Sequence, residues 1–453
     1  MSSPRRARRQ RWVSRLAILN VTVMFAAWAC APSDSTSGPT GPAPSAWFAQ
    51  SPSYRQYGIR TPDEEMAVIA TRAPGFAGMF WASDGRLVIK MTAEADTERV
   101  LATITDPETA GLFRGVQAAL SEQRVWLRSD AAYDFASLMS WKEALMSAVF
   151  PGGAIFSAIA ETRNAIWVGV ANDAAENRLR AAAQNLGIPE DALVVERGVS
   201  GTPAENLRVE RGVSGKPAEN LRDRFRPVPG GVEVNGSCTL GVNALSDIGS
   251  GFVTASHCTD TFWSQDGGWF HQPSSGNDYV GWEASDPGPL IWCGGQLSCR
   301  YSDAAFILYD GVTGQQGYVA RTEGIGSTTI DIWNPRFTIT DTDGWVIGGG
   351  DVDKIGRTTG WTTGELIDTC TDWYNWVAPG AGLLCQVTTW AVADGGDSGG
   401  PAFTWSGDAD VTLQGIVVGT LLQNGRPVGS IFSNWVYVAL ELGADVGGLH
   451  VTQ

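Results

Sequence analysis

Histidine is nearly missing from this chain, with three in 453 residues: His257, His271 and His450. No C-x-x-C pair occurs either, so a zinc site has almost none of its usual ligands to draw on. Cysteine is absent between residues 31 and 237. Basic residues run out in the second half, where positions from 227 onward hold 6 Lys and Arg against 24 Asp and Glu. That excess of negative charge argues against a nucleic-acid partner, because displacing counterions from phosphate needs Lys and Arg. Solubility and weak nonspecific adhesion are its expected consequences. Long apolar runs are absent beyond the first thirty residues. No later segment is therefore expected to span a membrane, which takes about 20 apolar residues.

At the start of the chain, "RRARRQR" precedes the apolar stretch "LAILNVTVMFAAWA", and "AWA" at 27–29 is a small-x-small cleavage site. Basic, apolar and small segments in that order read as a signal peptide over 1–29. Cleavage there leaves Cys30 first, and "AWAC" also resembles a bacterial lipoprotein signal. The expected location is secreted and extracellular, or the outer surface with membrane attachment if Cys30 is lipidated. Without Cys30, six of the seven cysteines remain: Cys238, Cys258, Cys293, Cys299, Cys370 and Cys385. In an exported chain these read as disulfides, and their spacing suggests the pairs 238–258, 293–299 and 370–385.

Residues 30–55 are rich in Pro, Ser and Gly and read as a flexible linker. From 56 to 194 the pattern is α+β. "GFAGMFWASDGRLVIKMT" reads as two strands around an "SDG" turn. "AIWVGV", "AENRLRAAAQNLG" and "DALVVE" follow as strand, helix and strand, with Gly187 as the helix stop. Next, "VERGVSGTPAENLR" (195–208) is followed directly by "VERGVSGKPAENLR" (209–222). Two copies of this length cannot build a repeat architecture. Residues 195–226 are expected to form an exposed linker in which the duplication is tolerated and which holds the maturation site; the alternative is a protease-sensitive hinge at its arginines. Beyond "RDRFRPVPGG" helical runs vanish and short apolar runs alternate with turn signals. Residues 227–453 are accordingly expected to be all-β, closed by one helix at "NWVYVALELG".

The stretch "DGGDSGGP", residues 394–401, places four glycines around Ser398. Glycine loses more backbone freedom on folding than any other residue, so the bare backbone itself must be needed there. Serine is a poor nucleophile until a base takes its proton, and the base usually needs a carboxylate to orient it. His257, in "GFVTASHCTD", ends an apolar run beside Cys258. A bridge from Cys258 to Cys238 would stiffen that point and contribute about 3 kcal/mol. Asp303, in "CRYSDAAFILYD", heads an apolar strand; read alone it is a solvated strand-start aspartate.

Taken together, "TASHC", "SDAAFI" and "GDSGGP", in the order His, Asp, Ser, resemble the trypsin/chymotrypsin-like serine proteases. The long segment upstream is similar to the pro-regions of their bacterial secreted branch, the α-lytic protease and streptogrisin type. "CTLGVNA" (238–244) and "GRTTGW" (356–361) add to the likeness, which covers about residues 230–440; Ser256 stands where Ala or Gly is more usual. The resemblance implies two six-stranded antiparallel β-barrels with a C-terminal helix, the first over about 227–338 and the second over about 339–453. It implies a secreted serine endopeptidase acting on proteins or peptides, with Ser398 as nucleophile, His257 as general base and then acid, and Asp303 as its orienter. The N–H groups of Gly396 and Ser398 would form the oxyanion hole.

The same likeness makes Val392 the base of the substrate pocket and Val418, Gly419 and Thr420 its wall. With no acid at Val392 and no histidine near 418–420, a small-to-medium apolar residue is the expected preference at P1, the substrate residue on the N-terminal side of the cleaved bond. The likeness further implies a buried Asp397 in need of a cation. Proline in "VPGGVEV" argues against a freed N-terminus in that role, and Arg357 in "GRTTGW" is the expected partner. Residues 56–226 would be a pro-region, removed on maturation, that aids folding and inhibits until cleaved. The mature form is expected to be a monomer with no metal and no cofactor.

Two rivals remain. "GDSGG" also satisfies G-x-S-x-G, the nucleophile elbow of α/β-hydrolase esterases, with Asp445 and His450 in the right order. An elbow needs a helix after the serine, however, and "GGPAFTWSGDAD" supplies Pro and Gly. The other rival is a catalytically silent binding module on the protease fold.

Overall fold

The computed structural model describes residues 59–149, 153–203 and 219–452, apart from 275, 277, 290, 294–296, 343 and 406. The leader, Cys30, the 30–55 linker and most of the tandem repeat lie outside the described residues. The described residues belong to one compact unit.

Upstream of 204, local sequence accounts for each element. The helix Pro62–Arg72 starts with Pro at its first turn, and Thr61 and Glu64 exchange side-chain-to-backbone hydrogen bonds, a capping box that satisfies two otherwise orphaned N–H groups. Strands β1 (Phe76–Trp81) and β2 (Leu87–Thr92) pair antiparallel across the "SDG" turn, and β3 (Val125–Ala131) joins β2 in parallel. The helix Phe135–Val149 shares their core through Phe135, Leu138 and Leu145. Strands β4 (Ala154–Ala160) and β5 (Ala165–Val170) form a hairpin. The helix Asp173–Asn185 is capped by Asn172 and stops ahead of Gly187, whose φ of +70° is the left-handed conformation that ends helices. It leads to β6 (Leu193–Arg197), parallel to β5.

The linker expected from 195 is not one over residues 195–203. Residues 195–197 complete β6, and Val199–Pro203 form β7, with Val199 and Pro203 buried.

Downstream, β8 (Val242–Ser246), β9 (Gly249–Thr254), β10 (Trp269–His271), β11 (Tyr279–Ser285) and β12 (Ala305–Tyr309) make a five-stranded antiparallel sheet in the order β8-β9-β12-β11-β10. Strands β13 (Asp351–Gly356), β14 (Gly360–Tyr374), β15 (Ala381–Thr389), β16 (Pro401–Trp405), β17 (Asp410–Gln423) and β18 (Arg426–Asn434) belong to a mixed 15-stranded sheet. That sheet takes in β4, β5, β6 and β7 as well. β14 pairs with β4, Asp372 opposite Ser157 and Trp373 opposite Phe156. β17 pairs with β7, from Gly419 opposite Pro203 to Gln423 opposite Val199.

The expected pair of six-stranded barrels is therefore corrected. A barrel closes only when the two edge strands of one sheet meet each other. In the five-stranded sheet the edges β8 and β10 do not pair, so it stays open. In the larger sheet β13, β14, β15, β18, β17 and β16 pair in a ring, but β14 and β17 also extend onto upstream strands, so the ring is part of the mixed 15-stranded sheet and not a separate barrel. The result is a mixed, sheet-rich architecture with one C-terminal helix, Trp435–Val446, capped by Asn434. Among the described residues no helix is long and apolar enough to cross a membrane.

Candidate active site

His257 sits on a single 3₁₀ turn, Ser256–Cys258, just after β9, and the Cys238–Cys258 disulfide ties that turn to the preceding strands. Asp303 lies two residues before β12, and Ser398 on the turn before β16. These three positions, far apart in sequence, converge. His257 Nε2 is 2.7 Å from Ser398 Oγ, and His257 Nδ1 is 2.6 Å from Asp303 Oδ2. The His257 N–H also donates to Asp303 Oδ1 at 3.1 Å. All three residues are buried. An ionised Asp303 takes the hydrogen bond of the Nδ1 proton, which leaves Nε2 to accept from the serine hydroxyl. Burial pushes the Asp303 carboxyl up, but the charge and hydrogen bonds of His257, with the Trp376 indole, outweigh it and hold the group below the ordinary carboxylate range.

Ser256, which stands where the resemblance leads one to expect Ala or Gly, has work of its own. Its hydroxyl donates to Asp286 Oδ2 at 2.7 Å and accepts from the Trp263 N–H at 3.0 Å. Asp286 in turn pairs with the fully buried Arg300, whose Nε lies 3.2 Å from Glu441 on the C-terminal helix. Glu441 accepts from the backbone N–H groups of Tyr301 and Ser302. One buried network thus fixes the residue before the histidine and those leading into Asp303. Sequence reading missed it, although Arg300 is one of only six basic residues after 227.

Asp397 is buried as expected, but its cation is Lys354 and not Arg357. Lys354 Nζ stands 2.7 Å from Asp397 Oδ2, both side chains fully buried. The carboxylate also accepts from the N–H groups of Thr358 (2.8 Å), Thr359 (3.2 Å) and Asp394 (3.1 Å), and from the Thr359 hydroxyl (2.6 Å). Burial pushes Asp397 up, and Lys354 with these donors more than reverses it. Burial pulls the Lys354 ammonium down against the pull of Asp397. Arg357 pairs with Glu233. Strand period explains the exchange: side chains two apart share a face. A Cβ at Gly356 would fall 2.3 Å from Asp397 Oδ1, so the face shared by Lys354 and Gly356 looks at the carboxylate. Arg357, one residue past β13, turns toward Glu233.

Gly396 has a φ of +98°, and a Cβ there would lie 2.4 Å from Arg357 Nε and 2.7 Å from Thr358 Oγ1. Only glycine satisfies both conditions. Among the described residues neither the Gly396 nor the Ser398 N–H has a hydrogen-bond acceptor. Val418, Gly419 and Thr420 lie in β17, with Gly419 and Thr420 opposite Pro203 and Thr202 of β7. Val392 precedes the serine turn, and its carbonyl accepts from the Thr362 hydroxyl at 2.9 Å.

The rival residues go elsewhere. His450 is exposed and bridges Leu245 on β8, and Asp445 accepts from the Ser285 hydroxyl. Strand β16, not a helix, follows Ser398. Disulfides join Cys238 to Cys258, Cys293 to Cys299 and Cys370 to Cys385. No cluster of three or more His, Cys, Asp or Glu able to hold a metal occurs among the described residues.

No family model and no curated protein sequence matches this chain. Solved structures do. Thermobifida fusca protease A matches at 19% identity with a TM-score of 0.35, over 50% of this chain and 98% of its own. A glutamic acid-specific serine protease that uses a histidine triad in substrate binding matches at 22% identity and a TM-score of 0.37, over 49% of this chain and 98% of its own. Nocardiopsis protease matches at 20% and 0.36, over 50% and 99%. These matches do not single out the α-lytic protease and streptogrisin branch.

Proposed function

We propose that this chain is a secreted serine endopeptidase made as a self-inhibited precursor, of the α-lytic protease and streptogrisin type. The observation that carries the reading is the unbroken hydrogen-bonded line from Asp303 through His257 to Ser398. In the reaction, Ser398 Oγ attacks a substrate carbonyl carbon as His257 Nε2 takes the hydroxyl proton. Asp303 holds the ring and stabilises the imidazolium that forms. The developing oxyanion meets the N–H groups of Gly396 and Ser398, where a donor is typically worth about 3–4 kcal/mol of barrier lowering. His257 then protonates the leaving amine, and the acyl-enzyme is released by water activated at the same nitrogen. The Lys354–Asp397 pair anchors the turn that carries these donors.

Active-site labelling tests this reading. The cleaved protein is expected to take one fluorophosphonate at Ser398, with labelling lost in Ser398→Ala and His257→Ala. A silent binding module predicts no labelling at all, and an esterase elbow predicts loss with His450→Ala instead. Cleavage of a peptide library should favour small-to-medium apolar residues at P1; dominant cleavage after Arg or Glu would refute the pocket assigned to Val392, Val418, Gly419 and Thr420.

In this reading residues 56–226 are the pro-region, with a maturation cut in 195–226, and they act as folding aid and inhibitor. Two contacts support the inhibitory part: β7 lies along β17 at Gly419 and Thr420, and β4 extends β14. Where these parts meet, Lys142 lies 3.1 Å from Asp372 and 3.5 Å from Asp63. Burial pushes Asp63 up to about 8 against the pull of Lys142, with the charge of Asp368 adding to it, and burial with the charges of Asp368 and Asp63 pushes Glu161 up. Burial also pushes Asp368 up to about 6.

Carboxyls raised in the docked state hold protons that separated chains release, so docking is favoured at acidic pH and weakens as pH rises through the raised values. The cleaved upstream segment should therefore co-elute with the rest of the protein near pH 5 and separate near pH 8. Its affinity should fall about tenfold per pH unit for each proton released. Glu161→Gln should flatten that slope; equal retention at both pH values would remove the role of these carboxyls.

A further inference from the structure

Asp303 Oδ2 accepts two hydrogen bonds, not one. The second comes from the indole N–H of Trp376, at 2.8 Å. Trp376 lies in the turn Asn375–Gly380 that joins β14 to β15, and it is buried. The backbone around it is held in an unusual shape. Asn375 and Val377, on either side, have φ of +55° and +50°. Asparagine tolerates that region, whereas a β-branched valine is a genuine outlier there. Strain of this kind persists only where the surrounding structure over-determines it, and it clusters at functional sites. The turn is closed behind Trp376, whose own N–H donates to Ala381 O at 2.8 Å. The Cys370–Cys385 disulfide links the two strands that lead into it.

The indole also reaches the strand assigned above to substrate. A Cβ on Gly419 would fall 2.4 Å from Trp376 Cη2, so the far edge of the ring lies directly against β17 at that glycine. One rigid side chain therefore touches the carboxylate behind the histidine at one end and the substrate strand at the other. Other donors cannot replace the indole on Oδ2. The His257 N–H is committed to Oδ1, and the Ser433 hydroxyl, which accepts from the Asp303 N–H, donates onward to Gln386.

We propose that Trp376 is a positioning residue of the hydrolytic site, its indole N–H fixing the Asp303 carboxylate against His257 while its ring sets the height of the substrate strand at Gly419. This rests on the endopeptidase reading above. With the N–H removed, Oδ2 keeps only the His257 ring bond, and the carboxylate plane is held by that bond and the His257 backbone N–H on Oδ1 alone. Its angle to Nδ1 is then less firmly fixed when the imidazolium forms. The carboxylate also becomes more basic, since a hydrogen bond to the charged form is lost, and it holds the imidazolium proton more tightly.

The test uses the cleaved protein carrying either Trp376→Phe or the indole isostere β-(3-benzothienyl)alanine at 376, which keeps the bicyclic shape without the N–H. For the isostere, kcat on a peptide substrate should fall about tenfold, as for a lost hydrogen bond to a charged group, with KM within about twofold. The acidic limb of its pH profile should move upward, and the low-field proton resonance of His257 Nδ1–H should shift. Trp376→Phe, which also withdraws the ring from Gly419, should raise KM in addition. An isostere matching the natural protein in kcat, pH profile and resonance overturns the role of Trp376 while leaving the endopeptidase reading intact. A natural protein that neither cleaves peptides nor takes a fluorophosphonate overturns both.

Discussion

Ser398→Ala is expected to lower kcat/KM on a peptide substrate by about a hundred-thousand- to a millionfold, with KM almost unmoved. The size follows from the part the hydroxyl plays: without it no acyl-enzyme forms, and what is left is water attacking a bound carbonyl beside the same N–H donors. His257→Ala should cost about as much, and the double variant scarcely more, because the two residues act as one unit. Asp303→Asn should cost about ten-thousandfold, since an amide offers the Nδ1 proton a donor on one side and favours the wrong tautomer. The geometry makes the claim specific to His257. Of the other two histidines, His450 bridges Leu245 at an exposed edge and His271 lies in β10, its backbone N–H bonded to Asn235. Single-turnover kinetics on the four chains decide the matter; losses that multiply in the double variant would mean two independent routes to the product.

Lys354→Met is expected to be the most damaging substitution outside the hydrolytic residues. Removing one partner of a buried ion pair strands the other, at a cost of about 3–5 kcal/mol. Asp397 would be left buried, with only the N–H groups of Thr358, Thr359 and Asp394 and the Thr359 hydroxyl to hold its charge. Because Asp397 lies between Gly396 and Ser398, the loss should reach activity as well as stability. Lys354→Met combined with Asp397→Asn should recover much of the stability, since removing both charges of a buried pair is often nearly neutral. Arg357→Met should be milder, because its pair with Glu233, though mostly buried, keeps contact with solvent that Lys354 and Asp397 lack. Urea midpoints and unfolding rates of the three variants give the ranking, and an Arg357 variant less stable than the Lys354 variant would reverse the assignment.

Legibility in the sequence differs from one feature to the next, for reasons that can be stated. Helix ends and hairpins are local matters. Thr61 with Glu64, Asn172 with Gly187 and the "SDG" turn specify their own geometry within a few residues. Lys354 was within reach of the sequence, as one of six bases in a charge-poor half and placed two before a glycine in a strand. The resemblance instead implies an internal arginine in that role, which points to Arg357 in "GRTTGW". Which of the two faces Asp397 depends on where β13 stops, and that is set by pairing and not by composition. The second repeat copy tells nothing about the first, part of which became β7 because an unpaired edge of β17 was there to receive it.

The residue types at 257, 303 and 398, the need for bare backbone at 396 and the disulfide spacing are all properties of short segments, and the sequence determined them alone. Tertiary structure decided which edges meet, and therefore that the five-stranded sheet stays open and the larger one runs on into upstream strands. It also decided which cation neutralises Asp397, which hydroxyl carries the network behind Ser256, and which indole lies against Asp303. The division has one physical cause. Conformational preference acts within a few residues, whereas strand partners and buried charge pairs are chosen by contacts between segments that the chain brings together only when it folds.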